Sequence, residues 1–209
     1  MKGEVGPFCR MLARERKPYR QIDEAELARV AGTVLHGGVV AIARPRPVVD
    51  FVPDAAREWA KDGKPLLILD GVGNPHNLGA IVRSAAFFGL ERMLLADRPD
   101  QALPSDASYR VAEGGFEHLY LHRAPLPAAL RELRQVYRVV GTALGKRVVT
   151  AAWGGDLPVA LVVGNEETGL DPATIAACDE VMTIPGSGRV QSLNVAAAAA
   201  ILIYTLTRS

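Results

Sequence analysis

The chain has 209 residues, 49% of them apolar and 22% charged, with a net charge of +1. This is enough for one core plus a small appendage, and it excludes a disordered chain, which is short of apolar residues. Two cysteines, Cys9 and Cys178, exclude a disulfide scaffold, and the longest apolar stretch, Leu193 to Leu206, is too short for a membrane span and reads as a buried helix. No apolar leader opens the chain, so the expected compartment is the cytosol.

Charge is uneven along the sequence. Residues 1–46 carry nine Lys/Arg against five Asp/Glu, with Lys2, Arg10, Arg14, Arg16, Lys17 and Arg20 in the first twenty positions. Nucleic acid favours such a stretch, although a solvated helix face explains it equally well.

Residues 8–17 and 23–31 read as short helices, the second with Asp23 as N-cap and Glu26 in capping-box position. Val39 to Ala43 reads as a short strand. Arg44-Pro45-Arg46-Pro47 cannot continue a central strand or a helix, which predicts a boundary there, with a linker and a helix across 47–63. From Lys64 the pattern changes. Leu66-Leu67-Ile68-Leu69 is a continuous apolar run, as in a strand covered on both faces. Apolar residues at 78, 81, 82, 85 and 88 predict a helix over 77–88. Further strands are predicted at 93–96, 118–121, 137–142, 159–163 and 180–184, with helices at 127–135 and 192–206. Strands alternating with helices predict an α/β fold with a mainly parallel sheet. His118 and His122 fall on one side of such a strand, but no Cys or carboxylate clusters with them, so no metal site is expected.

Ligands of such a sheet bind at the carboxyl ends of its strands. Three strand-to-helix loops have unusual composition. The first runs Asp70-Gly71-Val72-Gly73-Asn74-Pro75-His76-Asn77-Leu78-Gly79-Ala80-Ile81-Val82-Arg83. Its Gly71-x-Gly73 is a partial dinucleotide fingerprint that fails at His76 and carries Pro75 where amides would cradle pyrophosphate. Arg83, among Ile81, Val82 and Ala85, either serves a purpose or makes a structural ion pair. The second loop is Gly164-Asn165-Glu166-Glu167-Thr168-Gly169-Leu170, where Glu166 can orient a cation or accept a proton, or simply favour a helix start. The third is Ile184-Pro185-Gly186-Ser187-Gly188-Arg189-Val190-Gln191-Ser192-Leu193-Asn194-Val195, in which Ser192 is also a candidate N-cap.

Together, N-L-G-A-I-x-R, G-N-E-x-x-G-L and I-P-x-x-G-x-x-x-S-L-N-V resemble the three motifs of the SpoU/TrmH-like RNA ribose 2′-O-methyltransferases of the SPOUT superfamily, in order, across residues 64–209. The resemblance implies an α/β domain with a C-terminal trefoil knot, a homodimer, an RNA substrate (tRNA or rRNA) and S-adenosylmethionine as cofactor. It implies cofactor contacts from Thr142, Ala143, Leu144, Gly164, Ile184, Pro185, Gly186 and Leu193. It also implies a catalytic group of Arg83 with Asn77, Glu166, Ser192 and Asn194 around it. Arg83 then acts either as a base once a phosphate engages it or as an electrostatic stabiliser of the developing alkoxide. Gly186 and Ala196 depart from the methionine and serine usual in the family. His36-Gly37-Gly38-Val39-Val40-Ala41 resembles the end of the substrate-binding domain that often precedes these enzymes, so residues 1–46 are expected to be a partial RNA-binding region. Two other functions fit parts of the pattern: a non-catalytic RNA- or cofactor-binding relative of the same fold, and an NAD-dependent oxidoreductase.

Overall fold

The computed structural model describes residues 2–143, 153 and 155–208. The chain divides into two compact units, 1–44 and 45–209. The first unit holds α1 (Lys2–Arg14) and α2 (Glu24–Ala31). Asp23 caps α2 by accepting from the Glu26 amide at 2.7 Å, and Gly32, at φ +66°, ends it in the left-handed conformation that helix stops favour. The strand expected over Val39–Ala43 does not form. Those residues carry neither helix nor strand, and Ile42 is 95% exposed. β-branched propensity makes a strand only where a neighbour pairs with it.

The second unit contains β1 (Val48–Asp50), α3 (Pro53–Ala60), β2 (Leu66–Asp70), α4 (Pro75–Phe87), β3 (Arg92–Ala96) and α5 (Asp106–Ala112). A 3-10 turn (Gly115–His118) leads to β4 (Tyr120–Ala124) and α6 (Leu126–Leu133). Then follow β5 (Arg138–Thr142), β6 (Val159–Gly164), α7 (Pro172–Ala177), β7 (Glu180–Met182) and α8 (Val195–Leu206). Val48–Asp50, read from the sequence as linker, pair with β4 as an edge strand. His118 lies in the 3-10 turn and His122 on β4, so the two do not share a strand face.

The seven strands lie in the order β1-β4-β3-β2-β6-β5-β7, and every pair is parallel. Alternate side chains explain the continuous apolar runs. Leu67, Leu69, Met93, Leu95, Leu161 and Val163 face one cluster with α4 and α8, while Leu66, Ile68, Leu94, Ala160 and Val162 face a second with α3 and α6. Truncating Leu161 to alanine, at 0% exposure in an interior strand, would cost about 2–5 kcal/mol.

From β2 the chain winds outward through β3 and β4 on one side, and the later strands build the other side. The direction of winding reverses between β2 and β6. At such a reversal the strand ends leave a crevice for ligands. Register aligns Asp70 with Gly164 and Thr142 with Met182. The loops after β2, β5, β6 and β7 therefore all leave one rim.

Candidate functional site

The first and second loops are tied at the crevice by buried polar groups. Asp70, only 2% exposed, receives Arg98 Nη1 on Oδ1 at 3.1 Å and the Asp171 amide on Oδ2 at 3.0 Å. Its carboxylate thus bridges β2, the loop after β3 and the start of α7. The Arg98 guanidinium is pushed above its usual range, chiefly by its 2.6 Å bond to Asp100, then by Asp70, with burial opposing. Gln101, 6% exposed, accepts from the Gly71 and Val72 amides at 2.9 and 3.2 Å and donates back to the Val72 and Ala102 carbonyls. Asn165 donates to the Gly71 carbonyl at 2.7 Å and accepts from the Glu167 and Thr168 amides. Asp70 and Gln101 are supports of the rim that the sequence reading does not single out, and Asn165, part of the second motif, is a third. Each reaches a partner about 30 to 100 positions away, which no local pattern announces.

Above this base three of the expected site residues form a chain. Asn77 Nδ2 donates to Glu166 Oε1 at 2.6 Å, and Asn194 Nδ2 donates to Asn77 Oδ1 at 3.1 Å. One residue from each of the three loops is thereby joined. Asn194 Oδ1 also accepts from the Ala196 amide at 2.8 Å, which makes Asn194 the N-cap of α8. The helix therefore begins at Val195, and Ser192, read as a candidate cap, is exposed in the preceding loop.

Arg83 stands apart from that chain. Six residues along α4 carry it about 9 Å from Asn77 and onto a different helix face. Ile81, Val82 and Ala85 are buried, but the Arg83 side chain is 57% exposed and pairs with Glu113 at 3.0 Å. Of the two sequence explanations, the ion pair is present in the chain by itself.

The expected cofactor contacts line the same rim. Thr142 donates to the Val162 carbonyl at 3.0 Å, and the Ala143 amide donates to the Met182 carbonyl at 2.9 Å. Ile184 packs against the core, whereas Pro185, Gly186 and Leu193 are exposed, Leu193 to 47%. Leu144 lies outside the described residues. Gly164 has a structural reason to be glycine, since a Cβ there would sit 2.4 Å from the Gly169 carbonyl carbon as the 165–170 turn folds back. At Gly186 a Cβ would meet nothing within 4 Å, so the glycine that departs from the family pattern leaves open space. Ile184 and the exposed Leu193 give this rim apolar side chains of the kind against which the adenine ring of S-adenosylmethionine would pack. The first loop does not suit a pyrophosphate. Pro75 offers no amide, and the His76 amide already donates to Asn74 Oδ1 at 2.8 Å. Among the described residues no His/Cys/Asp/Glu group of three or more is placed to hold a metal ion, and no helix is long and apolar enough to cross a membrane.

Residues 64–204 match the model of the SpoU rRNA Methylase family. The chain is 36% identical over 189 residues to the 23S rRNA (guanosine-2′-O-)-methyltransferase RlmB of Acinetobacter baylyi, a match spanning 87% of this chain and 75% of the relative. It is 34% identical to slr0955 of Synechocystis, described as a tRNA/rRNA methyltransferase, over 90% of this chain but only 50% of that one. An AdoMet-bound rRNA methyltransferase from Sinorhizobium meliloti superposes with a TM-score of 0.65 at 31% identity, covering 70% of this chain and 56% of that structure.

Proposed function

The chain belongs to the SpoU rRNA Methylase family, and from that premise we propose that it transfers a methyl group from S-adenosylmethionine to a ribose 2′-hydroxyl of rRNA or tRNA. The observation that carries this is the hydrogen-bonded chain Glu166–Asn77–Asn194, which ties the three motif loops into one rim at the crevice of the sheet.

Thr142, Ala143, Gly164, Ile184, Pro185, Gly186 and Leu193 hold the cofactor, chiefly through main-chain groups. Bound there, S-adenosylmethionine supplies an electrophilic methyl group. The protein's part is to hold the ribose hydroxyl in line with it and to manage the hydroxyl proton. Asn77, Glu166 and Asn194 fix the loops, and Ser192, exposed beside them, faces the substrate. Arg83 engages the sugar-phosphate and stabilises the alkoxide that develops as the hydroxyl proton passes to solvent water, since guanidinium stays charged in nearly every protein setting.

The active unit is a homodimer. Support comes from an uncovered apolar face on α4 and α8, with Phe87 82%, Tyr204 49% and Ile201 43% exposed. Patches of this kind mark association surfaces. Arg83 lies four residues before Phe87, on the same helix face. The dimer therefore presents Arg83 of one protomer toward the loops of its partner. The C-terminal part of the fold closes as a trefoil knot, a reading supported by family membership and by the placement of β5 between β6 and β7. Residues 1–46 add basic contacts to RNA, and the reaction belongs to the cytosol.

The test is tritiated methyl transfer to total tRNA and rRNA, followed by mapping of the modified ribose. Arg83→Ala is expected to lower turnover by at least about 100-fold while calorimetry still detects cofactor binding. Methyl groups found only on bases, or loss of cofactor binding in Arg83→Ala, would count against the assignment.

A further inference from the structure

A surface ion pair such as Arg83–Glu113 is by itself weak evidence of anything. What sets this one apart is the backbone built to deliver it. Helix α5 crosses α4 so closely that a Cβ on Gly79 would lie 2.4 Å from the Ser108 carbonyl oxygen. Ser108 Oγ ties down the start of α5, accepting from the Ser105 amide at 2.8 Å and donating to the Ser105 carbonyl at 2.9 Å. At its end Glu113 adopts φ +44° and ψ +51°, and Gly114 follows at φ +85°. Gly115 then presses on α4, where a Cβ would sit 3.2 Å from the Arg83 Cα. The chain is thus turned hard against the very turn of α4 that carries Arg83.

Left-handed backbone is ordinary for glycine or asparagine and uncommon for glutamate. The position instead holds a side chain whose carboxylate lies 3.0 Å from Arg83 Nη1, with both side chains open to solvent. A carboxylate and a phosphate offer a guanidinium the same acceptor geometry.

We propose that Glu113 is the resident counter-ion of Arg83, occupying the position of the substrate phosphate until RNA displaces it. This rests on the assignment of Arg83 to the sugar-phosphate. Glu113 is then a positioning residue. It keeps the guanidinium extended at the surface of α4, and every RNA phosphate must compete with it. The cost of displacement falls on every RNA alike, and only RNAs with further contacts offset it.

The full chain carrying Glu113→Gln is compared with wild type in two assays. The first is titration of a fluorescein-labelled oligouridylate by anisotropy. The second is methyl transfer to total rRNA and tRNA, resolved into KM and kcat. The expected result is a fall of about two- to five-fold in both Kd and KM, with kcat moving by less. In an Arg83→Ala background the same substitution is expected to leave Kd unchanged, because nothing remains to release. Glu113→Asn, which keeps a residue tolerant of left-handed backbone, should act alike and covers the case in which glutamine perturbs folding. An unchanged or weaker Kd overturns the proposal. So does an equal gain in the Arg83→Ala background, which would reduce Glu113 to a diffuse negative charge. The anisotropy arm needs no turnover. Wild-type protein that transfers no methyl group but shows the Arg83-dependent gain would defeat the function and leave the counter-ion standing. Normal transfer without that gain would do the reverse.

Discussion

Two ion pairs of equal chemistry and nearly equal length sit in the second unit and differ in almost everything else. Asp70 meets Arg98 at 3.1 Å, and Glu113 meets Arg83 at 3.0 Å. The Asp70 side chain is 3% exposed, the Glu113 side chain 63%. Asp70 has its second oxygen committed to the Asp171 amide and lies beneath the loops. Glu113 offers its carboxylate to solvent as well as to Arg83. Separation alone therefore says little about what a pair does. Burial makes the first a fixed part of the rim, since a buried charge must keep its partners. Exposure makes the second exchangeable, since water can replace either member, and a phosphate the carboxylate, at small cost.

The largest effect comes from breaking the buried side of that contrast. Asp70→Ala strips the Asp171 amide of its acceptor and leaves Arg98 with Asp100 alone. Urea unfolding is expected to show a loss of about 2–4 kcal/mol. Asp70→Asn retains an acceptor and should lose less. Equal, negligible losses in both variants would mean that the base of the rim is held by something other than this carboxylate. A smaller effect follows from the link above it. Asn77→Ala removes both the bond to Glu166 and the bond from Asn194, at about 1 kcal/mol of stability. Turnover should suffer more than stability, by up to about 100-fold, because the three loops lose their common reference. A variant that melts early yet retains full kcat would show that the chain Glu166–Asn77–Asn194 is structural only.

Much of this was legible before any coordinates. The apolar runs at 66–69 and 159–163 announced strands covered on both faces, and the three loops carried the residues that meet at the rim. What the sequence hid has a common cause. Asp70, Arg98, Gln101 and Asp171 act through contacts distant in the chain, and single-sequence patterns report only neighbours. Helix α5 and the 3-10 turn leave little trace in the sequence because they are short and sit among glycines and serines. The false strand at Val39–Ala43 arose the opposite way, from local propensity with no partner to realise it. Ser192 lost the cap of α8 to Asn194, and two hydroxyl- or amide-bearing residues two positions apart cannot be ranked as caps by type alone. Arg83 stands out in the sequence, but its partner Glu113 does not, since nothing in Ala112-Glu113-Gly114-Gly115 marks a left-handed glutamate.

The smallest effect belongs to the exposed pair, and it sharpens the contrast most. A double-mutant cycle on folding stability, with Arg83→Ala, Glu113→Ala and both together, isolates the coupling between the two side chains. For partners this open to solvent the coupling should be about 0.2–1 kcal/mol and should shrink further in 1 M salt, where the Debye length is only about 3 Å. The same cycle on Asp70 and Arg98 should give a larger coupling that salt alters less, because Asp70 is almost fully buried and screening ions reach only the partly exposed Arg98 side. If instead the Arg83–Glu113 coupling were the larger and equally resistant to salt, the pair would be structural. RNA could not displace Glu113 at an acceptable cost, and the division between a fixed rim and an exchangeable phosphate site would fail with it.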